Sequence, residues 1–525
     1  MRRVAVLLLS VVAILGILAP PVLAQTPAPA PAPAAPVMPK VTITGLVDFA
    51  TSISSNWSGL DVTDGGKDNL WYSRERGIFN FLAEIGKAKG VLSLEIDLHQ
   101  GFTDNTGAAS QGSGFGQAGT MGLAAAGNTT GTDLDTDVAG VLEVKWLYLE
   151  APMTGQGGLM PFIPFESIIR AGAQPARGHD YKNGILLSGD IPGVAWEARF
   201  APNLRSTVTY VQGREQLDEV SAPGAFESWA LVASVEVDVF KGFTVKPTYA
   251  YADFTGGSGN ANLGLPNTSG LVFNGTNNRM YRHTLGGDIR WVAGGLTIAP
   301  TIYFQWGKQE CTAAVGCATR QEVDIKTGIA DVIVGYRLGP LNIQGRGMYT
   351  PGNTANQLVQ NGDDINYYRA INPAFGYMAG FTEIQTSGVE YNNSLLAGAP
   401  GISLRTSPSY DKYGRIFLAG AVDYAVTPAL TLLGTANASW TAEKVDTQGV
   451  LSANGITSTG GGNANYLGAE LDLGFTYRFA PNVAFDLVGA YMWAGNALDH
   501  KRTAAGQVED ADDIWKGVAR IRVTW

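Results

Sequence analysis

Nine arginines fall on the polar side of stretches in which polar and apolar residues alternate: Arg170, Arg199, Arg205, Arg282, Arg290, Arg346, Arg478, Arg520 and Arg522. Carboxylates share that side at Glu84, Glu95, Asp97, Glu143, Glu236, Asp288, Glu470 and Asp472. Fixed charges of both signs can do electrostatic work. Rings of charge attract or repel ions, and a field between a basic and an acidic wall orders water. The same residues could equally be solvated charges, paired across strands, with no selective role. A second group, Arg177, His179, Asp180, Lys182 and Asp190, surrounds the apolar run Ile185-Leu-Leu187. Charges around an apolar centre that wants burial suit a loop folded back on its own protein, where they could line a narrow opening.

Covalent and metal chemistry find less support. Only four histidines occur: His99, His179, His283 and His500. A hydrolase needs a base beside its nucleophile, yet no Gly-x-Ser-x-Gly sequence or convincing triad appears, so no enzyme is expected. Asp133, Asp135 and Asp137 alternate but lack the Gly and final Glu of a calcium-binding loop, so neither a metal nor a cofactor is expected. Cys311 and Cys317 are the only cysteines. If the chain is exported, a local loop-closing disulfide is the expectation, with two free thiols as the alternative.

Export is what the N-terminus suggests. Arg2 and Arg3 precede an apolar run to Leu18, and Val22-Leu23-Ala24 offers a small-residue cleavage site. Residues 1–24 read as a signal peptide, 25–39 as an extended Pro/Ala linker, and 40–525 as the folded part. Losing two arginines lowers the Lys and Arg count from 36 to 34, against 46 Asp and Glu. That balance speaks against nucleic acid. Charged residues are only 16% of the chain, aromatics reach 10%, and there are 67 glycines; the usual charged share is about a quarter.

These features fit a wall of β-strands with one face in lipid. In Trp515–Trp525 the residues Trp515, Gly517, Ala519, Ile521, Val523 and Trp525 alternate with Lys516, Val518, Arg520, Arg522 and Thr524. A period of two puts the sets on opposite faces of a strand. Similar alternation runs through 91–99, 227–240, 281–291, 467–479 and 483–493, with His283 on the apolar face. In 322–336 the apolar set shifts near Thr327, which predicts a bulge or a misplaced boundary. Short Gly/Pro/Asn turns, such as Pro202-Asn203, Lys241-Gly242 and Pro481-Asn482, alternate with long polar loops. Eight turns and nine loops predict an all-β transmembrane antiparallel barrel of about 18 strands, with 16 as the alternative. A barrel this wide leaves an aqueous channel that some loop must narrow. The candidates are 176–192, 101–139 and 351–412; Tyr367, Tyr368, Phe375, Tyr377 and Phe381 in the last are expected in a packed external cap rather than a sugar-stacking track.

The passage Leu467-Gly-Ala-Glu-Leu-Asp-Leu-Gly-Phe-Thr-Tyr-Arg-Phe, the turn Ala-Pro-Asn-Val483, the following Ala484–Gly495 and the final Arg520-Ile-Arg-Val-Thr-Trp525 resemble the closing hairpin and last strand of Gram-negative outer-membrane porins. The resemblance is close over about sixty residues and elsewhere is one of layout. It implies a passive diffusion channel for small hydrophilic solutes and ions in the cell outer membrane, often a homotrimer, with a loop folded into the lumen. The other readings are a structural or adhesive barrel with a closed lumen, and a channel specific for a sugar or organic anion. The resemblance carries over no catalytic motif.

Overall fold

The structure is a computed structural model and describes residues 40–56, 69–100, 136–137, 142–176, 178–179, 181–182, 185–187, 189–214, 228–255, 279–310, 322–359, 364–371, 381–386, 388, 410–452, 455–457, 460–501 and 506–525. The expected signal peptide and linker, Cys311, Cys317, Arg177, Asp180, Phe375 and Tyr377 lie outside them. Eighteen long strands form the wall. They are β1 Lys40–Ser55, β2 Leu70–Ile85, β3 Ala88–Gln100, β4 Leu142–Thr154, β5 Glu166–Pro175 and β6 Asp190–Ala201. Next come β7 Leu204–Arg214, β8 Ser228–Phe240, β9 Phe243–Thr255, β10 Arg279–Ala293, β11 Leu296–Glu310 and β12 Glu322–Leu338. The last are β13 Leu341–Thr350, β14 Arg415–Ala425, β15 Leu430–Val445, β16 Ala464–Ala480, β17 Val483–Ala494 and β18 Ile514–Thr524.

Each strand pairs antiparallel with its neighbour in sequence, and β18 returns to β1 over Leu46↔Thr524 to Ser55↔Trp515. Closure removes the sheet edge that lipid could not satisfy. The short fragment Thr136–Asp137 adds only to β4. Turn chemistry sets the register at one end: Gly86, Gly242, Gly294 and Gly339 sit at positive φ (60°, 84°, 60° and 55°) in two-residue turns, a conformation glycine adopts without steric cost. Both ends of the ring, Lys40 and Trp525, are at this turn end. Gly45 and Trp525 exchange two backbone hydrogen bonds (3.0 and 3.2 Å).

The alternation resolves into two surfaces. Outward side chains are large, apolar and open: Leu473 is 64% exposed and Phe304 63%, whereas their inward neighbours Asp472 and Tyr303 are buried. Aromatic rings border the outward belt at both ends. Phe165–Phe200 (4.8 Å) and Phe240–Phe243 (4.9 Å) lie at the turn end; Trp229–Tyr251 (5.2 Å), His283–Trp306 (5.3 Å) and Tyr491–Trp493 (5.0 Å) lie at the loop end. From Phe485 to Trp493 the strand advances about 26 Å at ~3.3 Å per residue, close to the ~25 Å apolar band of membrane barrels.

The pairing corrects one expectation. β12 contains no bulge at Thr327; its register to β11 is unbroken from Leu296↔Tyr336 to Glu310↔Glu322. The apolar set shifts in sequence because Val323, Ile325 and Ile329 point inward and are buried there. Loop 351–414 covers them. Ile365 exchanges backbone hydrogen bonds with Asp324 and Lys326 (2.8 and 3.0 Å) along the part of β12 that β13 leaves unpaired.

Candidate functional site

Two loops fold into the barrel and divide it. From loop 176–189, Ile185, Leu186 and Leu187 are buried against inward residues of β7 to β14: Val211, Ala230, Val232, Ala250, Ala252, Tyr303, Ile329, Met348 and Phe417. Tyr368 and Ile371 of loop 351–414 complete this apolar core. The loops bind each other through Tyr368 Oη to the Ile185 carbonyl (2.7 Å) and Ile371 N–H to the Leu186 carbonyl (2.8 Å). The small inward residues of β8 and β9 make room for this filling. The described aromatics Tyr367 and Tyr368 are buried and Phe381 packs on Phe417 at 6.5 Å. Tyr368 and Phe381 therefore pack on the filling inside the wall and not in the external cap expected from sequence, and the buried Tyr367 ring lies against Arg369.

Polar ties hold loop 176–189 at His179 and Lys182, and a third tie holds the strand residue that follows it. His179 hydrogen-bonds Ser234 Oγ through Nδ1 (3.1 Å) and Thr209 Oγ1 through Nε2 (2.7 Å). Lys182 reaches Asp331 of β12, which also accepts from Arg346 Nε (2.7 Å). Asp190 is the first residue of β6, not a loop residue, and takes Lys145 (3.0 Å) and the Trp146 indole N–H. Burial, with Lys246 nearby, pushes the His179 pKa down to about 3, so the ring is neutral. Below pH 6.5 the unfolded chain binds a proton that the folded loop refuses until about pH 3. Stability from this contact is complete above pH 6.5 and falls by about 1.4 kcal/mol per pH unit through that window. The thermal unfolding midpoint should drop as pH is lowered from 6.5 to 4, and His179→Asn should flatten the drop; an equal acid slope in the variant would assign it to other groups.

Several charged residues singled out in the sequence lie beneath these loops. Glu470 accepts the N–H groups of Ile384 and Gln385 (2.6 and 2.9 Å), and Asp472 accepts that of Glu383 (2.9 Å). Arg282 donates to the carbonyls of Arg369 (3.0 Å) and Ala370 (3.5 Å). Asp288 accepts from Thr301 Oγ1 (2.5 Å) and Tyr303 Oη (3.1 Å). Glu470, Asp472 and Arg282 thus pin the filling to the wall, while Asp288 ties β10 to side chains of β11; all four are buried. The backbones of Asp97 and Glu143 belong to β3 and β4, and their side chains lie outside the described residues. Arg290 is exposed at the turn end, where Glu84 pairs with Lys40 (3.8 Å).

Among the described residues, the other side of the barrel holds a cavity. This cavity of about 640 Å³ runs between β1, β2, β4 and β16–β18, bounded by Pro481 and Asn482 at the turn end and by Ala176, Gly189 and Asp190 of the folded loop. Its lining carries six cations, Arg74, Arg76, Lys145, Arg478, Arg520 and Arg522, against two carboxylates, Asp48 and Asp190. Most of these cations are held by carboxylates. Arg74 pairs with Asp48 (3.4 Å), Arg76 and Lys145 share Glu95 (2.9 and 2.5 Å), and Arg520 and Arg522 share Asp486 (3.0 and 3.5 Å). Arg478 has no side-chain partner among the described residues. A smaller cavity of about 350 Å³ holds Glu166, Glu197, Glu236, Arg199, Arg205 and Lys246. Arg170 bridges Glu150 (2.9 Å) and Glu197 (3.3 Å) beside it.

Asp48, Arg74, Arg76, Lys145, Lys246 and Asp331 were missing from the candidates drawn from sequence. Arg74 and Arg76 sit in the polar run Ser73-Arg-Glu-Arg76, which hides its own alternation. Lys145 and Trp146 both line the cavity although adjacent, because the β3–β4 register shifts between Ser93 and Leu94. A bulge there turns an extra side chain inward.

No protein-family model and no curated protein matches the chain. Solved structures resemble it in overall layout. The BenF-like porin from Pseudomonas fluorescens Pf-5 is 10% identical with a TM-score of 0.48, over 92% of this chain and 98% of that one. OccK8 (OprE) of Pseudomonas aeruginosa is 10% identical with a TM-score of 0.47, over the same shares. OpdL of Pseudomonas aeruginosa gives 10%, 0.47, 92% and 98%.

Proposed function

We propose that this protein is an outer-membrane diffusion channel, exported by its N-terminal leader, through which small hydrophilic solutes pass down their gradient with anions favoured. The observation that carries the reading is the cavity walled by six cations and two carboxylates, next to a half-lumen filled by loops. Solutes would be held to the charged side, where Lys145, Arg76, Arg478 and Arg522 are accessible and where carboxylates keep Lys145, Arg76 and Arg522 oriented. Catalysis has no place in this reading. Reconstituted protein should give stepwise currents in planar bilayers, with a reversal potential on the anion side in a KCl gradient. Block of that current by an organic anion but not by a neutral sugar would refine the solute class. The filled half-lumen also fits a closed barrel serving as a structural or adhesive surface protein. Well-folded protein that never conducts would select that alternative.

A further inference from the structure

Seven of the turns between strands have two to four residues, but β4 and β5 are joined by 155–165, Gly-Gln-Gly-Gly-Leu-Met-Pro-Phe-Ile-Pro-Phe. It is a built element. It doubles back along the tip of β4, with Leu159 N–H to Pro152 O (3.1 Å), Met160 N–H to Met153 O (2.7 Å) and Gly155 N–H to Ile163 O (3.1 Å). Thr154 Oγ1 donates to Phe165 O (2.7 Å), and Lys87 Nζ donates to Gln156 O (2.6 Å) from the neighbouring turn. Yet it presents two of the most exposed large apolar side chains among the described residues, Phe162 at 80% and Leu159 at 76%.

Its position tells what faces them. Ala198 lies between Trp196 and Phe200 on the outward side of β6, opposite Ser167 of β5, and both Ala198 and Ser167 are buried. Phe165 packs there, 4.8 Å from Phe200 and 6.5 Å from Trp196. Phe165 therefore ties the end of the turn to the aromatic girdle on the lipid-facing side of the wall. Exposed apolar rings continuous with such a girdle belong at the bilayer boundary.

We propose that 155–165 is a membrane wedge, with Leu159 and Phe162 inserted among the phospholipids of the leaflet at the turn end. This rests on the membrane-channel reading. Apolar side chains held at an interface reach about 5–10 Å into it, so the turn would fix the height of the barrel on its β4–β5 side. Two rigid prolines, Pro161 and Pro164, flank Phe162 and Ile163 and lower the ordering cost of presenting them.

The test uses the full mature chain with Cys311 and Cys317 replaced by Ser and one fluorescent label at Phe162→Cys, in vesicles of phosphatidylethanolamine and phosphatidylglycerol. Controls carry the label at Leu418→Cys on the outward wall and at Lys241→Cys in a two-residue turn. The wedge predicts that label 162 is blue-shifted relative to label 241, shielded from iodide, and quenched more by a shallow than by a deep spin-labelled lipid. Iodide access and emission equal to those of label 241 would overturn it, provided label 418 is quenched by lipid. If label 418 is also water-exposed, the membrane reading itself fails. Exposure of label 162 in pure lipid vesicles with shielding only in native outer-membrane fragments would assign the turn to a protein partner and reject the wedge. Leu159→Cys supplies the same readout should the first variant fold poorly.

Discussion

Asp331→Ala should release the loop that fills half of the lumen. Asp331 is fully buried between Lys182 Nζ and Arg346 Nε. Without it, two cations face each other in a site closed to water. Breaking a buried pair by removing one partner costs about 3–5 kcal/mol, because the survivor keeps its desolvation penalty; here two cations survive. Lys182 relieves the conflict most easily by leaving, since it sits on a loop while Arg346 is fixed in β13. Burial already lowers the Lys182 pKa, with Asp331 opposing that shift, so losing Asp331 also favours a neutral Lys182. The expected result is a larger and noisier open-channel current and a lower thermal midpoint. Lys182→Met should be milder on stability, because Arg346 still neutralises Asp331. If Asp331→Ala leaves both current and midpoint unchanged, the loop is held without this ion pair, by its apolar core and the His179 contacts.

Much of this architecture was legible because a closed sheet between water and lipid imposes local rules. Alternation along 483–493 and 515–525 follows directly from a wall with two solvents. Turns such as Lys241-Gly242 mark where strands reverse. Where the lumen acquires a second solvent, an apolar filling, those rules fail. Val323, Ile325 and Ile329 look misplaced in sequence because they face a loop rather than water. Tyr368 looks like surface decoration because its partner Ile185 lies 183 positions away. The division of the charges was also hidden. Arg282 and Arg520 have the same residue type and inward phase, yet one is buried under Arg369 and the other borders the cavity. Only long-range packing of the loops separates them. The masking of Lys145 by a bulge is a different failure, since one inserted residue reverses the phase of everything read after it.

Reversing Arg478 and Arg522 to Glu should abolish the anion preference. Arg520 is the less useful target, although the alternating last strand points to it equally. Its guanidinium holds the buried Asp486 through two hydrogen bonds (3.1 and 3.0 Å), so a carboxylate there would leave two buried negative charges together and disturb folding. Arg478 has no side-chain partner among the described residues, and Arg522 keeps about a third of its side chain exposed while Arg520 remains on Asp486. The double reversal turns six cations against two carboxylates into four against four. One unit charge about 7 Å from a passing ion in water is worth roughly 0.6 kcal/mol. Replacing two positive by two negative charges changes four unit charges, which raises the energy of an anion by about 2.4 kcal/mol and lowers that of a cation by about the same amount before screening; with screening at 0.1 M the anion-to-cation permeability ratio should still fall by more than about tenfold. Salt should erase the difference, because the screening length falls from about 10 Å at 0.1 M to about 3 Å at 1 M. Reversal potentials in shallow KCl gradients centred on these concentrations check both parts. A reversal potential that does not move at 0.1 M would place the ion path away from this wall. A shift that persists undiminished at 1 M would mean that the substitutions changed the shape of the opening and not its field.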